Sequence, residues 1–484
     1  MTVSRGGAFR TVVLACGLGG MLLFGTTQAE QPADFQVGAR PPNFVVILTD
    51  DQGYGDLGVY GHPTIRTPRI DRMAAEGQRW TSFYAAPVCT PSRAQLMTGR
   101  LAIRSGTASG VFFPNSTGGL PSSEVTIAEV LKPKGYATGA VGKWHLGHLP
   151  EYLPTVQGFD SYFGIPYSND MAAIGIKRIP GSQRFANPQP AQFNVPIMRN
   201  AAIVEQPADQ RTITRRYTDE AIGFIRQHRD RPFFLYLAHN LPHVPLFVSK
   251  EFEGRSARGM YGDVIEEIDH NVGRILDTLR ELQLDRNTLV LFTSDNGPWL
   301  PYLDQGGSAG PLRNGKGTTW EGGVRVPAIF WWPGTIAAGG VVTGIGSELD
   351  VLQTLARLAG AETPKDRALD GYDLSSALRS AAAPSPRETL FYYRGATLSG
   401  VRHRSFKLHK DAPATGRGQA AGAEPSEAAW ELYDLDIDPS EKFDLAKERP
   451  EVVAELLKQA DAHSKSVIPV EDQIPKGRGR GGGK

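Results

Sequence analysis

Asn43-Phe44-Val45-Val46-Ile47-Leu48-Thr49 is an apolar run with no polar alternation, and Asp50-Asp51 closes it. A strand of this texture buries both of its sides, so it belongs inside a parallel sheet covered by helices on both faces. The acidic pair then falls beyond the carboxyl end of that strand, where ligands of open α/β sheets gather. Outward from this point the same alternation continues. Helical patterns occupy Arg69 to Glu76 and Glu124 to Leu131, with a short strand at Ala137 to Val141 after them. A helix over Ile213 to Gln227 leads into the strand Phe233 to Ala238. The clearest helix spans Arg258 to Leu282, where Tyr261, Val264, Ile265, Ile268, Val272, Ile275, Leu276 and Leu279 mark one apolar face. It delivers the chain to another buried strand, Thr288 to Ser294, which is followed by Asp295-Asn296.

Past the apolar stretch Pro327 to Trp332 and the helical Asp350 to Ala359, the texture changes. Ser380 to Arg387 is rich in Ala, Ser and Pro and reads as a linker; the strand Thr389 to Tyr393 and a helix near Pro450 to Ala462 lie beyond it. The expected fold is therefore α/β: a large mixed, mostly parallel sheet sandwiched by helices, with a smaller C-terminal α+β lobe containing a short antiparallel sheet. The expected division is an export signal over 1–29, a main domain over 42–378, a C-terminal subdomain over 388–470 and a disordered tail over 471–484. Asp411 to Ala428 reads as a mobile insertion, and Pro475 to Lys484 as a basic, Gly-rich segment with nothing to bury.

Composition narrows the function. The 484 residues carry Lys+Arg 52 against Asp+Glu 51, which leaves none of the basic excess that nucleic-acid binding requires. Arg5 and Arg10, an apolar run from Thr11 to Phe24 and Thr27-Gln28-Ala29 have the form of an export signal, so the mature chain is expected to start near Glu30 and to be periplasmic or secreted. That run falls short of the ~20 residues that span a bilayer, and no membrane span is expected elsewhere. Val13-Leu14-Ala15-Cys16 is similar to a lipoprotein site, but the apolar segment continues past Cys16, which favours a cleaved signal. Removing the signal leaves one cysteine, Cys89, and an unpaired thiol in an exported protein asks for a chemical reason.

Several clusters offer chemistry. Asp50, Asp51, Asp295 and Asn296 follow strands and together make a hard oxygen site suited to Ca²⁺ or Mg²⁺ rather than zinc; taken singly, each is an ordinary turn former. Lys143 and His145 are separated by one residue, so an extended segment would send both side chains from the same face. Prolines on both sides of His243 hold it in an extended loop after a strand, while His239 lies close by. Glycines around Lys316, in Asn314 to Gly323, let backbone approach an anion.

Two long stretches, Cys89-Thr90-Pro91-Ser92-Arg93-Ala94-Gln95-Leu96-Met97-Thr98-Gly99-Arg100 and Gly135 to Gly147, resemble the signatures of the formylglycine-dependent sulfatase family, in the alkaline phosphatase superfamily. The likeness covers Pro42 to Pro333, with an echo at Glu431 to Leu435 and Asp438-Pro439. Arg258 to Leu276, Gln305 to Pro311 and Phe391 to Leu398 resemble its N-acetylgalactosamine-6-sulfatase branch, and Ile165 to Asp170 its arylsulfatase A branch, which adds Ser168 as a candidate substrate-binding residue. Met97 replaces a common leucine, a volume-conserving change, and the extra cysteines of lysosomal relatives are missing.

The resemblance implies a sulfuric ester hydrolase in which Cys89 is oxidised to formylglycine by a formylglycine-generating enzyme. It implies a Ca²⁺ site, with Mg²⁺ as the alternative, made of Asp50, Asp51, Asp295, Asn296 and the modified Cys89. Arg93 and Lys143 would fix the nucleophile, His145 would be the base that expels sulfate, and His243 and Lys316 would grip the sulfate, one of them protonating the departing alcohol. Lys143 and Ser168 join the substrate-binding set. A sulfated carbohydrate, such as a 6-sulfated N-acetylgalactosamine or galactose unit, is the implied substrate, with specificity in the loops Gly110 to Ser122 and Ala172 to Asn200. Two rivals remain: a phosphonate monoester hydrolase or phosphodiesterase of the same superfamily, and a non-catalytic sulfated-glycan-binding protein with Cys89 unconverted.

Overall fold

In the computed structural model, which describes residues 40–174, 185, 187–410 and 429–474, the run Asn43–Thr49 forms β1 and is buried along its whole length. The further strands of the large sheet are β2 (Gln78–Tyr84), β3 (Ala137–Gly142), β4 (Ser161–Gly164), β5 (Ile197–Arg199), β6 (Ala202–Glu205), β7 (Phe233–Ala238), β8 (Thr288–Ser294), β9 (Arg325–Trp331) and β10 (Gly340–Ser347). Their order is β10-β2-β9-β8-β1-β7-β3-β4-β5-β6. The centre is parallel, β8-β1-β7-β3-β4, whereas β9 runs against both its neighbours and β5 and β6 turn back on the far edge. The fold is thus a mixed, mostly parallel sheet flanked by helices.

The Pro68–Glu76, Ile213–Gln227 and Met260–Glu281 helices pack together as one group, and the Cys89–Thr98, Ile127–Leu131 and Leu349–Ala359 helices as another. Every residue of the apolar face expected on Met260–Glu281 is buried. The Ile127–Leu131 helix begins three residues later than its periodicity suggests because Thr126 caps it: Thr126 and Glu129 exchange side-chain and backbone hydrogen bonds in a capping box.

The smaller lobe is an antiparallel sheet of β11 (Thr389–Arg394), β12 (Thr397–His403), β13 (Phe406–His409) and β14 (Glu431–Asp434). The Pro450–Ser466 helix covers it, placing Leu456 and Ala460 against Val401, Leu408 and Leu432.

Two expectations need correction. Ser380 to Arg387 is no loose linker: the Arg387 side chain is buried and its Nε donates to Asp350 Oδ2 at 3.0 Å, while Ser385 Oγ donates to the Ile345 carbonyl. An ion pair made across a long sequence separation leaves no local periodic signal. Residues 471–474, expected in the tail, are held: Gln473 N donates to Gly106 O at 2.7 Å and Ile474 is buried. The proposed signal at 1–29 with Cys16, the insertion over 411–428 and the basic segment over 475–484 lie outside the described residues. Among the described residues no helix is long and apolar enough to cross a membrane.

Candidate active site

Strand order assembles the site. Thr49 and Ser294 are paired in register, so Asp50-Asp51 and Asp295-Asn296 leave the sheet side by side. β7 is the next strand over and leads to His243; β3 pairs with β7, ending at Gly142 opposite Ala238, and leads to Lys143 and His145. Cys89 arrives differently, as the first residue of a ten-residue helix whose residues are all buried. Arg93, four residues on, stands on the same face of that helix. Lys316 comes in on the loop between β8 and β9.

Acid and base are interleaved. Arg93 donates from Nε and Nη2 to Asp295 Oδ2 at 3.0 and 2.8 Å, lies 3.4 Å from Asp50 Oδ2, and bonds the Lys143 carbonyl through Nη1. Lys143 Nζ is paired with Asp50 and donates to Ser168 Oγ at 3.3 Å. Lys316 Nζ sits 2.6 Å from Asp51 and 3.5 Å from Cys89 Sγ, whose other partner is Asp50 Oδ1 at 3.3 Å. Ser168 Oγ is 3.5 Å from the His243 ring, and His243 Nε2 is 3.7 Å from Asp51.

Burial and these charges set the protonation states. Burial pushes Asp50 up, but Lys143, His243, Arg93 and Lys316 outweigh it and hold the carboxyl well below the usual range. Burial, with the charge of Asp50, pushes Asp295 up to about 6, and Asp51 is raised in the same way. Burial pushes the Cys89 thiol well up, so the unmodified side chain would be a poor nucleophile. His145 is held well below its ordinary value by burial and by Lys143 and Arg93. It is a neutral imidazole: Nε2 donates to Phe112 O at 3.0 Å, and Nδ1 is buried without a partner among the described residues. Burial and Lys316 push His243 down to about 3, while the charge of Asp51, helped by Asp50 and Asp295, overcomes burial at Lys316 and keeps its ammonium charged.

The residues fit a divalent cation. Oxygens of Asp50, Asp51 and Asp295 and the sulfur of Cys89 all lie within 4.8 Å of one another, and Asn296 Oδ1 is buried with no hydrogen-bond partner among the described residues. Crowded, buried carboxylates and an orphaned amide oxygen are a hard donor set.

A family model described as sulfatase matches residues 42–361, and one described as the C-terminal region of aryl-sulfatase matches 385–480. The chain belongs to the sulfatase family. Human arylsulfatase A is 44% identical over 86% of this chain and 87% of its own. The N-acetylgalactosamine-6-sulfatase of Rattus norvegicus is 40% identical over 90% and 88%. Among solved structures, the PsFucS1 sulfatase from Pseudoalteromonas sp. aligns with a TM-score of 0.79 at 30% identity, covering 91% of this chain and 92% of that one. The protein is a sulfatase-type hydrolase with a buried Cys and Asp cluster suited to formylglycine-dependent catalysis.

In this sulfatase the candidates Asp50, Asp51, Cys89, Arg93, Lys143, Ser168, His243, Asp295, Asn296 and Lys316 converge. His145 converges too, but not by extended geometry: its φ is 60°, and Thr90 Oγ1 holds its carbonyl at 2.8 Å. His239 lies elsewhere, with its ring facing Tyr217. Sequence reasoning missed Trp299, whose ring carries Lys316 Nζ 4.5 Å from its centroid and lies 5.3 Å from the His243 ring. It also missed Glu348, a fully buried carboxyl at the start of the Leu349–Ala359 helix that burial and the charge of Asp295 push well up. Neither sits in a recognisable pattern; Trp299 was legible only as an aromatic four residues past Asp295.

Proposed function

We propose that this sulfatase hydrolyses sulfate esters of a carbohydrate, such as a 6-sulfated N-acetylgalactosamine or galactose unit, using a formylglycine made from Cys89. The observation that carries the proposal is the position of Cys89, touching Asp50 and Lys316 at the head of a buried helix that also supplies Arg93. The N-acetylgalactosamine-6-sulfatase relative supports the carbohydrate class. Asp50, Asp51, Asp295, Asn296 and side chain 89 would hold Ca²⁺, with Mg²⁺ as the alternative; a bound divalent cation lowers the pKa of a nearby hydroxyl and stabilises charge on sulfate oxygens. Hydrated formylglycine supplies two hydroxyls on one carbon, one to attack sulfur and one whose deprotonation expels sulfate and restores the aldehyde.

The surrounding side chains divide the remaining work. Arg93 and Lys143 orient side chain 89 and offset the charge of three carboxylates around an anionic ester. His145, neutral and with Nδ1 unpartnered among the described residues, takes the proton in the expulsion step. Ser168 steadies Lys143 and the His243 ring. His243 commits Nδ1 to Val244 O at 2.5 Å and starts neutral, so the charged Lys316 both grips the sulfate and is the proton donor ready for the departing oxygen. Cys89 is buried, so its oxidation by a formylglycine-generating enzyme precedes folding. Export is supported by the Arg5 to Ala29 pattern.

Cys89→Ala should remove turnover of sulfate esters while leaving the thermal unfolding midpoint near that of the parent, and the peptide Trp80 to Arg93 of the active enzyme should have the mass of the aldehyde. Turnover by the alanine variant, or an active preparation carrying only the thiol, would end this mechanism.

A further inference from the structure

Beside the side chains assigned to the sulfate stands an aromatic residue with no role so far. Trp299 is partly exposed beside both His243 and Lys316. Its indole N–H has no hydrogen-bond partner among the described residues. Tyr302 braces the ring edge-on at 4.6 Å, and Lys316 N donates to the adjacent Pro298 carbonyl at 2.9 Å, so the indole is fixed in place. The apolar surface continues outward with Leu300 and Leu303, both exposed. Asp170 lies two residues past Ser168, whose Oγ is 3.5 Å from the His243 ring; it is partly exposed, its carboxylate is free of any hydrogen bond or ion pair among the described residues, and it is near enough for its charge to act on that ring. Asp170 is also rigidly placed: its neighbour Asn169 is buried, donates to Gln210 Oε1 and Pro245 O at 3.1 Å each, and accepts from Gln210 Nε2.

We propose that Trp299 and Asp170 form the leaving-group subsite, and that the group they take is a neutral pyranose. The apolar C–H edge of the sugar would lie on the indole, while its hydroxyls donate to the Asp170 carboxylate and accept from the indole N–H. The inference rests on the carbohydrate sulfatase proposed above. A flat aryl or steroid alcohol would cover Trp299 but leave Asp170 unpaired and desolvated, and a sugar bearing a carboxylate or a second sulfate at that position would be repelled by it. Only the exocyclic C6 and the ester oxygen separate the ring of a 6-sulfated sugar from the sulfur, so with the sulfate on Lys316 and His243 the sugar lies within reach of Trp299.

The test compares a ligand that has a leaving group with one that lacks it. For the enzyme and its Trp299→Ala, Trp299→Phe and Asp170→Asn variants, KM and kcat are measured on N-acetylgalactosamine 6-sulfate, and the inhibition constant is measured for inorganic sulfate. Trp299→Ala and Asp170→Asn should raise KM for the sugar sulfate by roughly tenfold or more and Trp299→Phe by about threefold or less, while the sulfate inhibition constant should stay within about twofold in Trp299→Phe and Asp170→Asn and rise several-fold less than KM in Trp299→Ala, which also removes the ring beneath Lys316. Equal rises in KM and in the sulfate constant would mean that Trp299 only seats Lys316, and an unchanged KM would mean that neither residue meets the sugar; either result overturns the subsite. A parent enzyme that cleaves an aryl sulfate but no sugar sulfate would instead remove the carbohydrate assignment itself, and the subsite with it.

Discussion

Gly142 shows how little freedom single residues have here. It ends β3 immediately before Lys143 with φ 108°, and a Cβ built on it would lie 1.8 Å from the Ala238 carbonyl oxygen on the neighbouring strand. Gly135 has a similar left-handed φ of 81°, but a Cβ there would meet nothing within 4 Å. The two positions separate backbone strain from steric collision. Gly135→Ala should cost about 1–2 kcal/mol, the ordinary penalty for an L-residue in that region. Gly142→Ala should cost roughly 4 kcal/mol or more, because the neighbouring backbone cannot move without parting β3 from β7. Urea unfolding of both variants checks this, and equal losses would show that the contact at Gly142 is readily relieved. At this scale the sequence spoke clearly where chemistry is contiguous: Asp50-Asp51, Cys89 to Arg93 and Lys143 to His145 are each read as a unit. Trp299 and Glu348 stand alone in the sequence, and their place near the site comes only from what the fold sets beside them.

Among the elements, the loop carrying Lys316 is held by the C-terminal lobe rather than by its own domain alone. Lys407 on β13, fully buried, donates to Thr319 O at 2.8 Å, Glu321 Oε1 at 3.1 Å and Glu441 Oε1 at 2.7 Å. The Glu321 N–H donates to Glu441 Oε2, Thr319 Oγ1 meets His409 Nε2 at 2.8 Å, and Arg313 stacks on Trp320 while donating to the Glu441 carbonyl. The loop is thereby gripped on both sides of Lys316. Lys407→Met should cost about 3–5 kcal/mol, since it leaves two buried carboxylates without their shared ammonium. It should also weaken inhibition by inorganic sulfate, because Lys316 loses its fixed seat. Lys465→Met, which breaks an exposed pair with Asp461, should cost less than about 0.5 kcal/mol and leave that inhibition unchanged. If Lys407→Met destabilises the fold yet binds sulfate as tightly as the parent, the lobe supports the structure without positioning the site. None of this clamp was visible beforehand. The apolar strands and the Met260–Glu281 helix announce themselves by period, but the Cys89–Thr98 helix is buried on every side and so shows no stripe, and the ion pairs of Arg387 and Lys407 link residues remote in sequence.

For the whole molecule, the contact between the two sheets contains a pH dependence. Glu321 and Glu441 share Lys407 and titrate as one system. Burial pushes both carboxyls up; at Glu321 the charges of Lys407, Arg325 and Arg402 prevail and bring it down to about 2, whereas at Glu441 burial prevails over Lys407, the charge of Glu321 adds to it, and the group is pushed up to about 7. The two shifts act in opposite directions on stability. A carboxyl lowered by folding contributes stability above its ordinary value of 4.5, and this is lost as pH falls toward about 2. A carboxyl raised by folding keeps a proton that the unfolded chain has released, so stability declines as pH climbs from 4.5 through about 7. The contribution of the pair therefore peaks near its ordinary carboxyl value and falls on either side. Asp56 and Asp269, each raised to about 7 chiefly by burial, steepen the neutral limb in the same sense. These three carboxyls should accordingly withdraw stability between about pH 5 and about pH 7, while the buried, neutral His145, His239 and His243, which the unfolded chain would protonate, add it over the same range, so the readout is the difference between parent and variant. Glu441→Gln, which cannot titrate, should gain in thermal unfolding midpoint relative to the parent as pH climbs from about 5 to about 7. A variant whose midpoint ran parallel to the parent's across that range would show that Glu441 is already ionised in the folded enzyme at the acid end, with Lys407 and the Glu321 N–H holding it so.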